Sequence, residues 1–170
     1  APVPPTISGA PTDALEDSAF SFTPLSNDPD GDSLSFSIVN QPSWASFDED
    51  TGALSGTPLN SNVGTITDVR ITVSDGYSVV ELPAFDLTVL NVNDLPVFSG
   101  TPDTSVNEQQ EYEYSPDVID VDLGDILVFS LINAPNWLSI DPVTGVVSGT
   151  PGNSDVGTAT EIVIKVEDGI

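Results

Sequence analysis

Trp44-Ala45-Ser46-Phe47 recurs as Trp137-Leu138-Ser139-Ile140, and it does not recur alone. Thr51-Gly52 returns as Thr144-Gly145, and Ser55-Gly56-Thr57-Pro58 as Ser148-Gly149-Thr150-Pro151. Val63-Gly64 returns as Val156-Gly157 and Asp75-Gly76 as Asp168-Gly169, all of them 93 positions on. Upstream the offset falls to 92 for Glu16 with Glu108, Phe20 with Tyr112 and Phe22 with Tyr114. It falls to 91 for residues 5–11 against 96–102. Two single-residue insertions account for the drift, one of them near Leu123. The chain is therefore a tandem duplication, and a fold that serves one copy must serve the other.

Each copy reads as all-β. Apolar residues alternate at Phe20/Phe22, Leu34/Phe36/Ile38, Val69/Ile71/Val73 and Phe85/Leu87/Val89. In the second copy they alternate at Leu127/Phe129/Leu131 and Ile162/Ile164/Val166. A period of two buries one face of a strand and wets the other. Gly, Pro, Asn and Asp clusters separate the runs, and no helical period competes. About seven short strands per copy predict a β-sandwich of immunoglobulin or cadherin type. Trp44 and Trp137 are expected to anchor the two cores, although either ring could instead stack on a ligand. The expected domains are residues 1–94, including the linker, and 95–170. Copy two has no counterpart of the 85–89 strand, which leaves the strand at 162–166 with an open edge. The plain expectation is a piece cut from a longer repeat array. The sharper one is a strand donated by a neighbouring molecule.

Charge narrows the partners. Twenty-seven acids face only Arg70 and Lys165, for a net charge of −25. Nucleic acid is excluded as a direct partner, because binding it needs basic groups that displace counterions. An anionic membrane is disfavoured for the same reason, and no apolar run approaches the roughly 18 residues of a span. Unneutralised carboxylates repel one another in a compact state, so a cation is expected. The competing reading is a solubilising surface of the halophilic or marine kind. Cysteine, methionine and histidine are all absent. Disulfide and thiol chemistry are thereby removed, and a mature product or an excised piece is expected. With no nucleophile–base combination, catalysis is not expected. Paired carboxylates could in principle hydrolyse glycosides, but no large insertion builds a cleft.

The acids are unevenly placed. Asp28-Pro29-Asp30-Gly31-Asp32 precedes the strand at 34–38, and its counterpart is Asp120-Val121-Asp122-Leu123-Gly124-Asp125. An Asp-x-Asp pair in a tight loop turns both carboxylates one way, and a cation relieves their repulsion. For one isolated loop, a solvated Asx-type turn would be the better reading. Two copies at equivalent positions favour calcium, which takes 6–8 oxygen ligands.

Between the copies lies Asn91-Val92-Asn93-Asp94-Leu95-Pro96-Val97-Phe98, which resembles the cadherin inter-repeat linker of the form Asp-x-Asn-Asp-x-x-Pro-x-Phe. Both copies are similar to bacterial dystroglycan-type cadherin-like and immunoglobulin-like repeats, whose pattern includes Trp-Leu, Thr-Gly, Ser-Gly-Thr-Pro and a closing Asp-Gly. The resemblance implies one calcium cluster between the copies. Glu16 and Asn62 would come from copy one, Asn93 and Asp94 from the linker, and Asp120, Asp122 and Asp168 from copy two. Val92 and Leu95 would add carbonyls. It also implies two weaker half-sites, Asp28, Asp30 and Asp75 in copy one, and Glu108 and Asp155 in copy two. Asn60-Ser61-Asn62 and Asn153-Ser154-Asp155 stand where the family has Asp-Arg-Glu, and the linker begins with Asn91 rather than Asp. These neutral substitutions imply fewer or weaker ions than a full cadherin boundary holds.

The function expected is a calcium-binding structural module of a secreted or cell-surface adhesin, rod or filament. Its partners would be neighbouring repeats of the same or an identical chain. The alternative is a carbohydrate-binding module attached to a polysaccharide-degrading protein, for which Tyr77 is the exposed-aromatic candidate.

Overall fold

Short strands joined by glycine-, proline- and aspartate-rich turns build nearly the whole chain in the computed structural model, which describes residues 2–169. The chain divides into two compact units, residues 1–92 and 93–170.

The described residues of unit 1 form ten strands: β1 Thr6–Ser8, β2 Ala14–Leu15, β3 Phe20–Phe22, β4 Leu25–Asn27, β5 Ser35–Val39, β6 Ala45–Phe47, β7 Leu54–Gly56, β8 Gly64–Ser74, β9 Val79–Glu81 and β10 Phe85–Leu90. One sheet runs β2-β10-β8-β5, with β9 also on β8, and the facing sheet runs β3-β7-β6. Strands β1 and β4 form a small separate pair. The alternation seen in the sequence sorts inward from outward. Val69, Ile71 and Val73 of β8 and Leu87 and Val89 of β10 are buried, and the residues between them are not. Val69, Leu87 and Val89 pack with Phe20, Ala45 and Leu54 of the facing sheet, and Ile71 and Val73 pack with Phe36 of β5 in their own sheet and with Leu82. The Trp44 ring is half-buried and meets Phe20 edge to face at 5.6 Å, so the indole is a core anchor.

The described residues of unit 2 repeat the plan with seven strands: β11 Val97–Ser99, β12 Tyr112–Tyr114, β13 Asp117–Ile119, β14 Val128–Ile132, β15 Leu138–Ile140, β16 Val147–Gly149 and β17 Val163–Glu167. The three-stranded sheet is retained as β12-β16-β15, and β11 pairs β13 as β1 pairs β4. The large sheet is reduced to β14-β17. Tyr112 meets Trp137 edge to face at 6.4 Å, the counterpart of the Phe20–Trp44 pair.

The repeated motifs have a local cause. A Cβ on Gly56 would lie 2.4 Å from the Trp44 carbonyl oxygen, and one on Gly149 would lie 1.9 Å from that of Trp137. The glycine of Ser-Gly-Thr-Pro is what lets the tryptophan backbone approach its sheet. Gly52 and Gly145 sit at φ +72° and +73°, with the rings of Phe36 and Phe129 against the face a side chain would occupy. Asp48 and Asp141 close the turns before them, accepting amides from Asp50 and Thr51, and from Val143 and Thr144. Those amides hold both carboxyls below the usual range.

Candidate metal centre

Unit 2 gathers oxygens around its first acidic loop. The Asp120-Val121-Asp122 turn is held by the Asp122 amide donating to Asp120 Oδ1 at 2.9 Å. Gly124, at φ +106°, lets the loop double back. The doubled-back loop brings carboxylate oxygens of Asp120, Asp122 and Asp125 all within 4.8 Å of one another. Among the described residues this is the one such group of three acids. Burial and the neighbouring charges of Asp122, Asp120 and Asp168 push the Asp125 carboxyl up. Asp125 is therefore harder to ionise here, which a cation would reverse.

The linker closes on this loop from within the same unit. The Asp94 amide donates to Asp122 Oδ2 at 2.6 Å. Asn93 Nδ2 donates to Asp168 Oδ2 at 3.0 Å, which turns Asn93 Oδ1 inward, where it is buried without a hydrogen-bond partner. Asp120 Oδ2 and Asp125 Oδ2 are likewise buried and unpartnered. Asp122 and Asp168 are themselves buried.

Unit 1 holds a related arrangement. Glu16 follows β2 and is only 1% exposed. Its Oε1 accepts the Val92 amide at 2.6 Å, while Oε2 is buried without a partner. Asp28 Oδ1 accepts the amides of Asp30 and Asp32, and Asp30 Oδ2 accepts the Val3 amide at 2.6 Å, much as Asp122 accepts Asp94. Asp75 Oδ1 takes the amides of Ser78 and Tyr77, which hold that carboxyl low. Oδ2 of Asp28 and of Asp75 are buried and unpartnered.

The remaining sequence-predicted residues lie elsewhere in their units. Asn62 and Asp155 end matching 3-10 turns, Asn60–Asn62 and Asn153–Asp155. Asn62 Oδ1 accepts the Leu59 amide and Asp155 Oδ2 the Gly152 amide, both at 2.8 Å, so these side chains act as local caps. Glu108 is exposed, unlike its counterpart Glu16. Asp125 lies in the acidic loop but outside the ligand set that the resemblance implies. The spacing Asp-x-Asp-x-x-Asp, closed by a glycine, was the available signal.

Burial without a hydrogen bond is rare for polar atoms, because it costs the full desolvation of the group. Among the described residues seven side-chain atoms are in that state. Six are carboxylate or amide oxygens of these loops and of Glu16, and the seventh is Trp44 Nε1. A donor set made only of carboxylate, amide and carbonyl oxygens suits a hard cation and offers nothing to a soft one. The acidic triad could therefore hold a metal ion.

Among solved structures, the chain is similar to human protocadherin-24 EC1-2, with 18% identity over 97% of this chain and 94% of that one, at a TM-score of 0.53. It also matches an endo-fucoidan hydrolase of glycoside hydrolase family 107, with 24% identity over 95% of this chain, at a TM-score of 0.42; the match spans 28% of the hydrolase. A SusE-like surface-located polysaccharide-binding protein of Bacteroides thetaiotaomicron matches at 16% identity, with 86% of this chain and 28% of that one covered and a TM-score of 0.40. No curated protein matches in sequence. The family model described as Putative Ig domain matches twice, over residues 4–90 and 95–170. These two matches take in both copies of the duplication, and the chain belongs to that family as two tandem immunoglobulin- and cadherin-like repeats.

Proposed function

We propose that the chain is a non-catalytic, calcium-binding repeat module of an extracellular adhesin, rod or filament. The observation that carries this reading is the set of buried, unpartnered oxygens around Asp120, Asp125 and Asn93, beside the buried carboxylates of Asp122 and Asp168. A bound calcium ion supplies the positive charge and the coordination partner that these oxygens otherwise lack. Asp120, Asp122, Asp125 and Asp168 hold it with the side chains of Asn93 and Asp94, and the Asp94 amide keeps Asp122 in place. In unit 1, Glu16 offers a buried, unpartnered Oε2 of its own to a cation. Asp28, Asp30 and Asp75, and Glu108 and Asp155, form weaker sites that need a neighbouring repeat.

Consecutive residues of the joining peptide are each tied down, Val92 by Glu16 and Asn93 and Asp94 by Asp168 and Asp122. Tightening those oxygens around an ion removes freedom from the peptide that joins the copies. Rigidity then follows calcium concentration by mass action. Calorimetry checks the site: Asp122→Ala or Asp94→Ala abolishes the tightest calcium step, and an unchanged step places the ion elsewhere. Scattering checks the role, since profiles in chelator and in excess calcium must differ.

Carbohydrate binding is the second reading. It stands on Tyr77, the most exposed aromatic ring among the described residues at 74%, since Trp44 packs into its core and Trp137 packs against Tyr112. A pull-down on insoluble polysaccharide, with and without calcium, separates the two readings.

A further inference from the structure

Three aspartates in the chain are followed by glycine: Asp30-Gly31, Asp75-Gly76 and Asp168-Gly169. Such a pair can close a ring on itself. The glycine amide nitrogen attacks the aspartate side-chain carboxyl carbon, and a cyclic succinimide forms. One C–N bond is made and one carboxyl C–O bond breaks. The departing oxygen leaves as water, carrying the acid proton and the amide hydrogen. A second water then opens either carbonyl of the ring and gives back aspartate or gives isoaspartate. Glycine suits the step, because it has no side chain to block its nitrogen and its backbone turns freely. Closure still requires the two atoms to meet, so the folded geometry selects among the pairs.

The fold shields two of the three. Asp75 is buried, and its Oδ1 takes the amides of Tyr77 and Ser78. Gly76, whose nitrogen would attack, donates its amide to Ser74 Oγ at 3.1 Å. Asp168 is buried as well, and its Oδ2 takes the side-chain amide of Asn93. A Cβ on Gly169 would lie 3.3 Å from the Ile126 carbonyl oxygen, so that backbone is hemmed in. Asp30-Gly31 lacks this cover. It lies on the loop between β4 and β5, where both residues are exposed and a Cβ on Gly31 would meet nothing within 4 Å. The Gly31 amide faces the Asp28 carbonyl at 3.4 Å, longer than an N–H···O bond of ordinary strength. The Asp30 carboxylate takes the amide of Val3, which is itself exposed. In copy two the matching pair is split, because Leu123 is inserted between Asp122 and Gly124. A branched side chain on the attacking residue hinders its nitrogen.

We propose that Asp30 is a modification site, at which the chain isomerises spontaneously through a succinimide formed with Gly31. The isoaspartyl product has an extra carbon in its main chain, and its carboxylate hangs from a different atom. In the unmodified chain Asp28 Oδ1 takes the amides of Asp30 and Asp32, and the longer path puts that turn out of register. The reaction marks aged copies of the chain at this exposed loop of unit 1 and spares the matching loop of unit 2.

The full chain is incubated in warm neutral buffer made with oxygen-labelled water, with chelator present. Each passage through the ring leaves a labelled oxygen behind, and digestion with mass spectrometry assigns it to a residue. Chelator keeps calcium out of the loops, so the outcome is independent of the calcium reading. Label and isoaspartate are expected at Asp30 at least about tenfold faster than at Asp75 or Asp168. In denaturant the three rates are expected to converge, which assigns the selectivity to the fold. Asp30→Glu keeps the charge but requires a larger ring that closes more slowly, and it is expected to remove the label from this loop alone. Absence of label at Asp30 overturns the proposal, as do equal rates at the three pairs in the folded chain.

Discussion

Single residues carry the duplication. Gly56 and Gly149 exist because a tryptophan carbonyl lies where a side chain would begin. Gly56→Ala should destabilise unit 1 by about 1–3 kcal/mol through overpacking, measured by denaturant unfolding. Asp48 and Asp141 supply the second residue-scale signature, each carboxylate accepting two turn amides in its ionised form. Their folded pKa values lie below the unfolded ones. Their contribution is therefore full above the ordinary carboxylate pKa and is lost as pH falls through the depressed value. The melting temperatures of wild type and Asp141→Ala should differ at neutral pH and converge in acid. Asp125 shows the opposite balance, raised by burial and by three like charges. Asp125→Asn should stabilise the metal-free protein and weaken its calcium binding, two opposite signs from one substitution, read by melting with chelator and with calcium.

Among elements, β10 separates the copies. Strand β8 is eleven residues long in unit 1, and its partner β17 in unit 2 keeps only the half that pairs with β14. Backbone groups with no strand beside them do not hold sheet geometry, so the same motif extends in one copy and stays irregular in the other. Leu87 is buried in unit 1, and Leu87→Ala should cost about 2–5 kcal/mol of its stability, measured by unfolding monitored through Trp44. Strand periodicity was legible in the residues. That Glu16 would be buried by the end of β10 while Glu108 stayed exposed was not, because burial depends on a strand about seventy positions away.

At the scale of the whole molecule, charge dominates. A net −25 on a 170-residue chain disfavours every compact arrangement of its carboxylates. Among the described residues no helix is long and apolar enough to cross a membrane. Calcium at about one hundred times its dissociation constant should stabilise the fold by about 2.7 kcal/mol, measured as a rise in melting temperature that chelator reverses. Sodium chloride at matched ionic strength should give a smaller rise, since screening acts on the exposed acids and fills no site. Equal rises would leave the acids as a solubilising surface.

The residues in order determined the duplication, the strand alternation, the glycine and aspartate turns, and the positions of the acidic loops. Those follow from local sterics and from a two-residue period, which each copy carries in full. Only the folded chain decided which oxygens lose both water and partners. Asp125 joins Asp120 and Asp122 because Gly124 turns the loop back, and Asn93 Oδ1 faces inward because Asp168 takes its amide. Desolvation belongs to the packed unit, so no stretch of sequence states it alone.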